Sequence, residues 1–113
     1  MSWVEEVKEI LRERLNANRI RVIEPQGLEN CYILVVEVGD DVFLIGLWRG
    51  EKTYYAKISP ATSIPARWDC RSLEYSPIGL YAFAEEPGKL AFRINEKFSK
   101  ITSISKHINI TVE

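Results

Sequence analysis

The segment from Cys31 to Arg49 constrains the fold more than any other part of the chain, because it predicts a β-hairpin that is apolar on both faces. Its two strands, residues 31–38 and 42–49, flank a turn at Gly39–Asp41. A strand with one wet face alternates apolar and polar residues, whereas a nearly continuous apolar run has to be covered on both sides. We therefore expect each face of the sheet to be covered by the chain's own helices, a partner subunit or a ligand.

The remaining segments extend this hairpin into an antiparallel sheet with flanking helices. Ser2 and Glu5 form an S-x-x-E capping box ahead of an apolar stripe at helical spacing, which predicts a helix that ends at residues 16–18. Alternation predicts a strand over residues 19–23, and a further strand is expected over residues 53–59 after the turn at 50–52. Residues 78–84 are compatible with a short strand, and their structure stays open. We therefore predict a single α+β domain over residues 1–113. It contains a small antiparallel sheet of four to six strands, an N-terminal helix and a C-terminal helix.

Two patterns compete in the last third of the chain. Leu90, Ile94 and Phe98 recur at helical spacing after Pro87, although alternation from Leu90 also suits a strand. Because proline favours the first turn of a helix, we predict a helix of about four turns that covers the second sheet face. We expect a terminal strand over residues 108–112 to follow it.

The segment between the fourth strand and residue 78 looks irregular. Residues 60–77 contain three prolines and scattered serine and threonine, which predicts a long connection without regular structure. Connections of this length in a small domain are uncommon and are often functional.

Charge and hydropathy exclude several classes of protein. The chain has a formal net charge of −1 and a pI near 5.9, so it lacks the basic surface of a non-specific duplex binder. No apolar run reaches the roughly 18 residues of a membrane span, and the N-terminus does not resemble a signal peptide. We therefore expect a cytoplasmic protein with no membrane partner. Its many Glu, Lys and Arg residues and single Met are typical of thermophilic proteins.

Cys31 and Cys70 are the two cysteines of the chain. We expect them either to be buried as small hydrophobic residues or to form a disulfide, since intracellular proteins of hyperthermophiles do contain disulfides. In both cases we expect a structural role. A nucleophile formed by His107 and either thiol is a further alternative.

Signatures of catalysis and cofactor binding are absent from the sequence. It contains no phosphate-binding glycine loop, no dinucleotide fingerprint, no nucleophile elbow and no H-E-x-x-H motif. His107 is the sole histidine and no C-x-x-C pair occurs, which argues against zinc. The carboxylate pairs at 40–41 and 85–86 lie where a turn and a helix cap are expected. We therefore expect no enzymatic activity, no catalytic residues, no metal and no cofactor.

Aromatic and basic residues are interleaved between Trp48 and Tyr75, and no acidic residue occurs from Lys52 to Trp68. This pattern is typical of single-strand binding, in which bases stack on rings and phosphates meet cations. It is equally typical of strand packing with flanking solubility residues, so both interpretations stay open. Prolines flank Trp68, which indicates that its ring needs a pocket or a ligand. The candidate contacts are Trp48, Arg49, Tyr55, Lys57, Arg67, Trp68 and Arg71.

The capped N-terminal helix, small antiparallel sheet, apolar cleft and flanking cations resemble the single-stranded DNA-binding proteins of thermophilic archaea that lack the OB fold, the ThermoDBP-related group. The resemblance implies an apolar cleft for bases, with basic groups that hold phosphates. Its lining would be Trp48, Tyr55, Trp68 and Phe43, and its phosphate contacts Arg49, Lys57, Arg67 and Arg71. We predict binding of single-stranded nucleic acid, DNA before RNA. The alternative is a homodimeric structural or protein-interaction module whose apolar sheet face is the subunit interface.

Overall fold

Nine short segments form the fold, which a computed structural model describes for the backbone of residues 2–64 and 67–112 and for side chains through residue 101. In chain order they are α1 (Trp3–Arg14), β1 (Arg19–Ile23), β2 (Tyr32–Val38), β3 (Asp41–Arg49), β4 (Tyr54–Pro60), a 3-10 turn (Ala61–Ser63), α2 (Cys70–Tyr75), β5 (Leu80–Ala84) and α3 (Pro87–Val112). This order confirms the predicted α+β fold, with an N-terminal helix, an antiparallel sheet and a C-terminal helix.

The five strands form one sheet in the order β1-β2-β3-β4-β5, and every pair is antiparallel. The central hairpin closes at Gly39, whose φ of 60° is a conformation that glycine adopts without a steric penalty. Leu34 lies opposite Ile45 in this hairpin, and Trp48 lies opposite Tyr55 on the next strand. The register therefore places alternate apolar side chains on two separate faces.

Helices α1 and α3 cover the first face. The Oγ of Ser2 accepts a hydrogen bond of 3.2 Å from the backbone N–H of Glu5, as the capping box predicts. One stripe of α1 and one stripe of α3 are buried against the sheet and form a core with it. The fully buried residues of this core include Val7, Leu11, Leu34, Ile45, Leu90 and Ile94. The main core thus lies between these two helices and the sheet.

The second face is covered by the segment that joins β4 to β5. A disulfide joins Cys31, next to β2, to Cys70, the first residue of α2, across a sequence separation of 39. Leu73 of α2 is fully buried against this face together with Trp48. Two predictions are therefore wrong. The C-terminal helix α3 does not cover the second face but lies on the same face as α1, and residues 60–77 are not wholly irregular but contain helix α2.

A local cap and contacts distant in sequence explain the helix that periodicity missed. Asp69 caps α2, because its Oδ1 accepts a 2.8 Å hydrogen bond from the backbone N–H of Ser72. The Oε1 of Glu29 accepts another from the N–H of Cys70 at 3.3 Å. A helix of six residues with two buried positions gives no readable apolar repeat. It is fixed by long-range contacts.

Both sulfurs are bonded in the disulfide, so neither cysteine is a thiolate that can act as a nucleophile. This removes the Cys–His alternative. The side chain of His107 itself lies outside the described residues.

The predicted terminal strand at residues 108–112 is also wrong, since α3 continues to Val112. Neither Gly nor Pro occurs after Gly88, so the chain lacks the residues that usually stop a helix. Within the described part of the chain, no helix combines the length and the apolar character needed to cross a bilayer.

Candidate functional site

An exposed group of aromatic rings lies on the second face, at the edge strand β5 and its neighbour β4. Tyr81 and Phe83 are 39% and 55% exposed, and Tyr55 beside them is partly buried. The small residues that alternate with them on β5, Ala82 and Ala84, are buried in the core under α3. The pleat therefore directs the aromatic residues of β5 away from the helices. We call Tyr55, Tyr81 and Phe83 the aromatic row.

The rings of the aromatic row are close to parallel. The centroids of Tyr55 and Phe83 lie 6.1 Å apart with 27° between the ring planes, and those of Phe83 and Tyr81 lie 6.0 Å apart with 18°. Strand register causes this arrangement, because Tyr55 pairs with Phe83 and Tyr81 lies two residues earlier on the same strand. The result is a partly exposed group of near-parallel rings near the edge of the sheet.

The C-terminal end of α2 anchors the inner side of the aromatic row. The Nζ of buried Lys57 donates to the backbone oxygen of Glu74 at 3.2 Å and also to that of Ser76. The hydroxyl of Tyr81 donates to the same Glu74 oxygen at 2.8 Å, and the Lys57 Nζ lies 5.2 Å from the centroid of the Tyr81 ring. A cation at the end of a helix satisfies its last carbonyl groups, so Lys57 and Tyr81 hold α2 in place.

The aromatic row is uncharged at neutral pH. Burial, and then the carboxylate of Glu74, raise the pKa of Tyr55 and of Tyr81 above the usual 10.0. Burial lowers the pKa of Lys57 from its usual 10.5, and Glu74 opposes that effect. The rings of the row are therefore neutral, and the Glu74 carboxylate and the buried Lys57 amino group lie near its inner side.

Several residues predicted from sequence as contacts are inaccessible. Trp48 is 2% exposed, because Leu73 of α2 covers it, and Lys57 is buried at the end of the same helix. Phe43 points to the opposite face, where its ring centroid lies 4.8 Å from that of Phe98. The expectation that Trp48 and Phe43 line one open cleft is therefore corrected: they occupy two different cores.

Glycine at position 46 explains how Trp48 fits under α2. A Cβ at this position would lie 2.6 Å from Cη2 of the Trp48 indole and 2.7 Å from Cδ2 of Leu73. The close approach of these two side chains therefore requires the missing side chain of Gly46.

The remaining predicted contacts are exposed, and Arg49 lies apart from Arg67, Trp68 and Arg71. The guanidinium of Arg49 lies 5.7 Å from the ring centroid of Tyr54, which packs on the α1–α3 face. Trp68 is 40% exposed and precedes α2, as does Arg67, whose Nε lies 3.7 Å from the Asp69 carboxylate.

Helix α2 separates Trp68 from the aromatic row. The first residue of this helix, Cys70, is bonded to Cys31 beside β2, whereas Glu74 in its last turn contacts Tyr81 on β5. Arg71 is exposed in the first turn of the same helix. Of the seven candidates, Tyr55 alone belongs to the aromatic row, and Arg67, Trp68 and Arg71 form a second exposed group at the other end of α2.

The sequence prediction missed Tyr81 and Phe83, although a signal for them was present. In Leu80–Ala84, aromatic residues alternate with alanine. Alanine on one face of a strand allows a helix to pack closely, and the bulky rings then face the other side. The segment in which aromatic and basic residues are interleaved ends at Tyr75 and does not include them.

Taken together, the sheet and its uncovered rings define a small α+β protein that presents an exposed aromatic surface on an edge strand. Comparisons with known protein families, curated proteins and solved structures find no match. Among the described side chains, no group of three or more His, Cys, Asp or Glu is placed to hold a metal ion. Among the described residues, the aromatic row is the feature that points to a function.

Proposed function

We propose that this protein binds single-stranded nucleic acid by stacking bases on the aromatic row. The observation that carries the proposal is the near-parallel arrangement of Tyr55, Phe83 and Tyr81 on an exposed sheet face. Aromatic rings presented by a sheet stack two or three bases in known single-strand-binding modules. Each stacked base contributes about 1–3 kcal/mol, so a row of this size supplies useful affinity without a large positive charge.

Single strands suit this surface better than duplexes. The bases of a duplex are already stacked on one another, whereas those of a single strand can open onto the rings. A formal net charge of −1 also provides little of the phosphate attraction that non-specific duplex binding requires. We place DNA before RNA on the sequence argument alone, and the titration below compares them.

The subunit-interface alternative now has less surface available. It was motivated by the apolar faces of β2 and β3, which α1, α3 and α2 cover from within the same chain. On the sheet itself, the aromatic row is the apolar surface left exposed for such an interface. The same variants therefore test both functions.

The experiment is a titration with oligo-dT, oligo-U and a duplex of matched length, with binding followed by anisotropy of a labelled strand. Phe83→Ala removes the most exposed ring of the row. Phe92→Ala is its matched control, because Phe92 is 43% exposed on α3 and packs under Arg14 at 4.4 Å. We expect Phe83→Ala to weaken single-strand binding by about 5- to 150-fold, and Phe92→Ala to leave it unchanged.

Two results would contradict the proposal. One is the absence of single-strand binding at low salt, and the other is an equal effect of Phe83→Ala and Phe92→Ala. A wild-type dimer that Phe83→Ala dissociates, in sedimentation without nucleic acid, would favour the interaction module.

A further inference from the structure

A groove of about 360 Å³ lies beside the aromatic row, where α3 begins next to the outer strand. Its lining consists of Thr53, Phe83, Ala84, Glu85, Lys89 and Arg93. Phe83 thus belongs both to the aromatic row and to the wall of this groove, so a ligand on its ring has direct access to the groove.

Two cations of α3 face this groove. Lys89 and Arg93 are four residues apart, which places their side chains next to each other on one side of the helix. The Nζ of Lys89 lies 3.4 Å from the Glu86 carboxylate, but both side chains are well exposed, so this pair is weak. Among the described side chains Arg93 takes part in no ion pair. Glu85 is the single carboxylate of the lining, which leaves the groove with a net positive charge.

We propose that this groove is a phosphate site. In it, Lys89 and Arg93 hold the phosphate of the nucleotide whose base stacks on Phe83, so this inference rests on the proposed function. The planar guanidinium of arginine binds phosphate through two parallel hydrogen bonds, and the lysine ammonium adds a point charge. Both groups are exposed and reach the groove without a change in the fold.

Charge also selects the path of the sugar-phosphate backbone. At the inner side of the aromatic row, the carboxylate of Glu74 lies near Tyr55 and Tyr81 and repels phosphate, while the Lys57 side chain there is buried and donates to the carbonyl oxygens of α2. The two cations lie where β5 ends and α3 begins. The backbone therefore runs from the aromatic row towards the start of α3, away from the basic residues near α2 that the sequence had suggested as phosphate contacts.

The experiment measures how the affinity for oligo-dT depends on salt concentration. Each lost phosphate contact lowers the slope of the log–log plot by about one. We expect this decrease for Lys89→Ala and for Arg93→Ala, and tighter binding for Glu85→Gln, which removes the opposing charge. Lys100→Ala is the matched control, since Lys100 is exposed further along the same helix. Its slope is expected to equal that of the wild type.

The outcomes separate this inference from the proposed function. If the wild type binds and Phe83→Ala weakens binding, but Lys89→Ala and Arg93→Ala behave like Lys100→Ala, the phosphate site is overturned while base stacking stands. If the wild type binds no single strand at low salt, both proposals fail. Arg93→Lys provides a further check, because it keeps the charge. We expect this variant to keep the slope of the salt dependence but to bind oligo-dT more weakly, because lysine cannot make the bidentate contact.

Discussion

The phenol ring of Tyr55 lies parallel to the indole of Trp48, with ring centroids 5.2 Å apart and 3° between the planes. Trp48 is buried under α2, whereas Tyr55 continues outward to Phe83. A single stack therefore leads from the interior of the protein to its exposed aromatic surface. A base on Phe83 or Tyr55 does not touch the indole, but it changes the environment of the ring on which the indole is stacked.

Fluorescence tests this relationship. In a variant that carries Trp3→Phe and Trp68→Phe, Trp48 is the sole remaining tryptophan. We expect oligo-dT to cause a small change in its emission, which Tyr55→Leu abolishes because the connecting ring is gone. Anisotropy of the labelled strand measures binding independently. An emission change that persists in Tyr55→Leu would contradict transmission through the stack.

The exposed group at the other end of α2 gives a prediction about strand length. Trp68 and the aromatic row lie at opposite ends of this helix, and the proposed path of the backbone runs from the row towards α3, so a short strand on that path does not contact Trp68. We expect Trp68→Ala to leave the affinity for about 4 nucleotides unchanged and to weaken that for about 16 nucleotides, the two limits of known site sizes per domain. Equal effects at both lengths would show that Trp68 and the row form one site.

The disulfide is expected to contribute stability and not binding. Cys31→Ser combined with Cys70→Ser should lower the free energy of unfolding by about 2–4 kcal/mol, because the unfolded chain regains the freedom that the cross-link removed. Urea unfolding of this variant, beside wild type with and without a reductant, measures the loss. Binding of oligo-dT should survive, since Phe83 and Tyr81 pack on strands that the bond does not join. A folded variant without binding would place α2 in the binding site.

Alkaline pH should weaken the fold through the aromatic row. The pKa values of Tyr55 and Tyr81 are raised in the folded state, so their contribution to stability is complete below about pH 10 and is lost as pH rises through the folded values. Lys57 acts in the opposite direction: its folded pKa is lowered, so stability rises as pH climbs from that value to 10.5.

Tyrosinate absorbance of wild type and of Glu74→Gln measures the raised pKa values of the tyrosines on which this effect depends. We expect the variant to titrate at lower pH, because a repelling carboxylate is gone, and an unshifted titration would contradict the role of Glu74.

Much of the fold could be predicted because it depends on local patterns. The capping box at Ser2 and the apolar runs of the central hairpin contain their own structural signal. Helix α2 could not be predicted, since it is fixed by Cys31, Glu29 and Lys57, which are distant from it in sequence.

The candidate site was harder to predict than the fold. Residue type and proximity in sequence indicated Trp48 as a contact, but its exposure depends on whether α2 covers it. The alternation around Phe83 was readable, yet nothing in the sequence shows that this strand lies at the edge of the sheet. Arg93 comes next to Phe83 only because α3 folds back past β5.

The strand order of the sheet also has a consequence for how the chain reaches this structure. Every strand pairs with its neighbour in sequence, so the sheet can grow one strand at a time. The loops closed between β1 and β4 are short, whereas residues 61–79 separate β4 from β5. Contacts between α1 and α3 are different, because they join the two ends of the chain. Since contacts distant in sequence slow folding, we expect the hairpins to form early and the docking of the terminal helices to limit the folding rate.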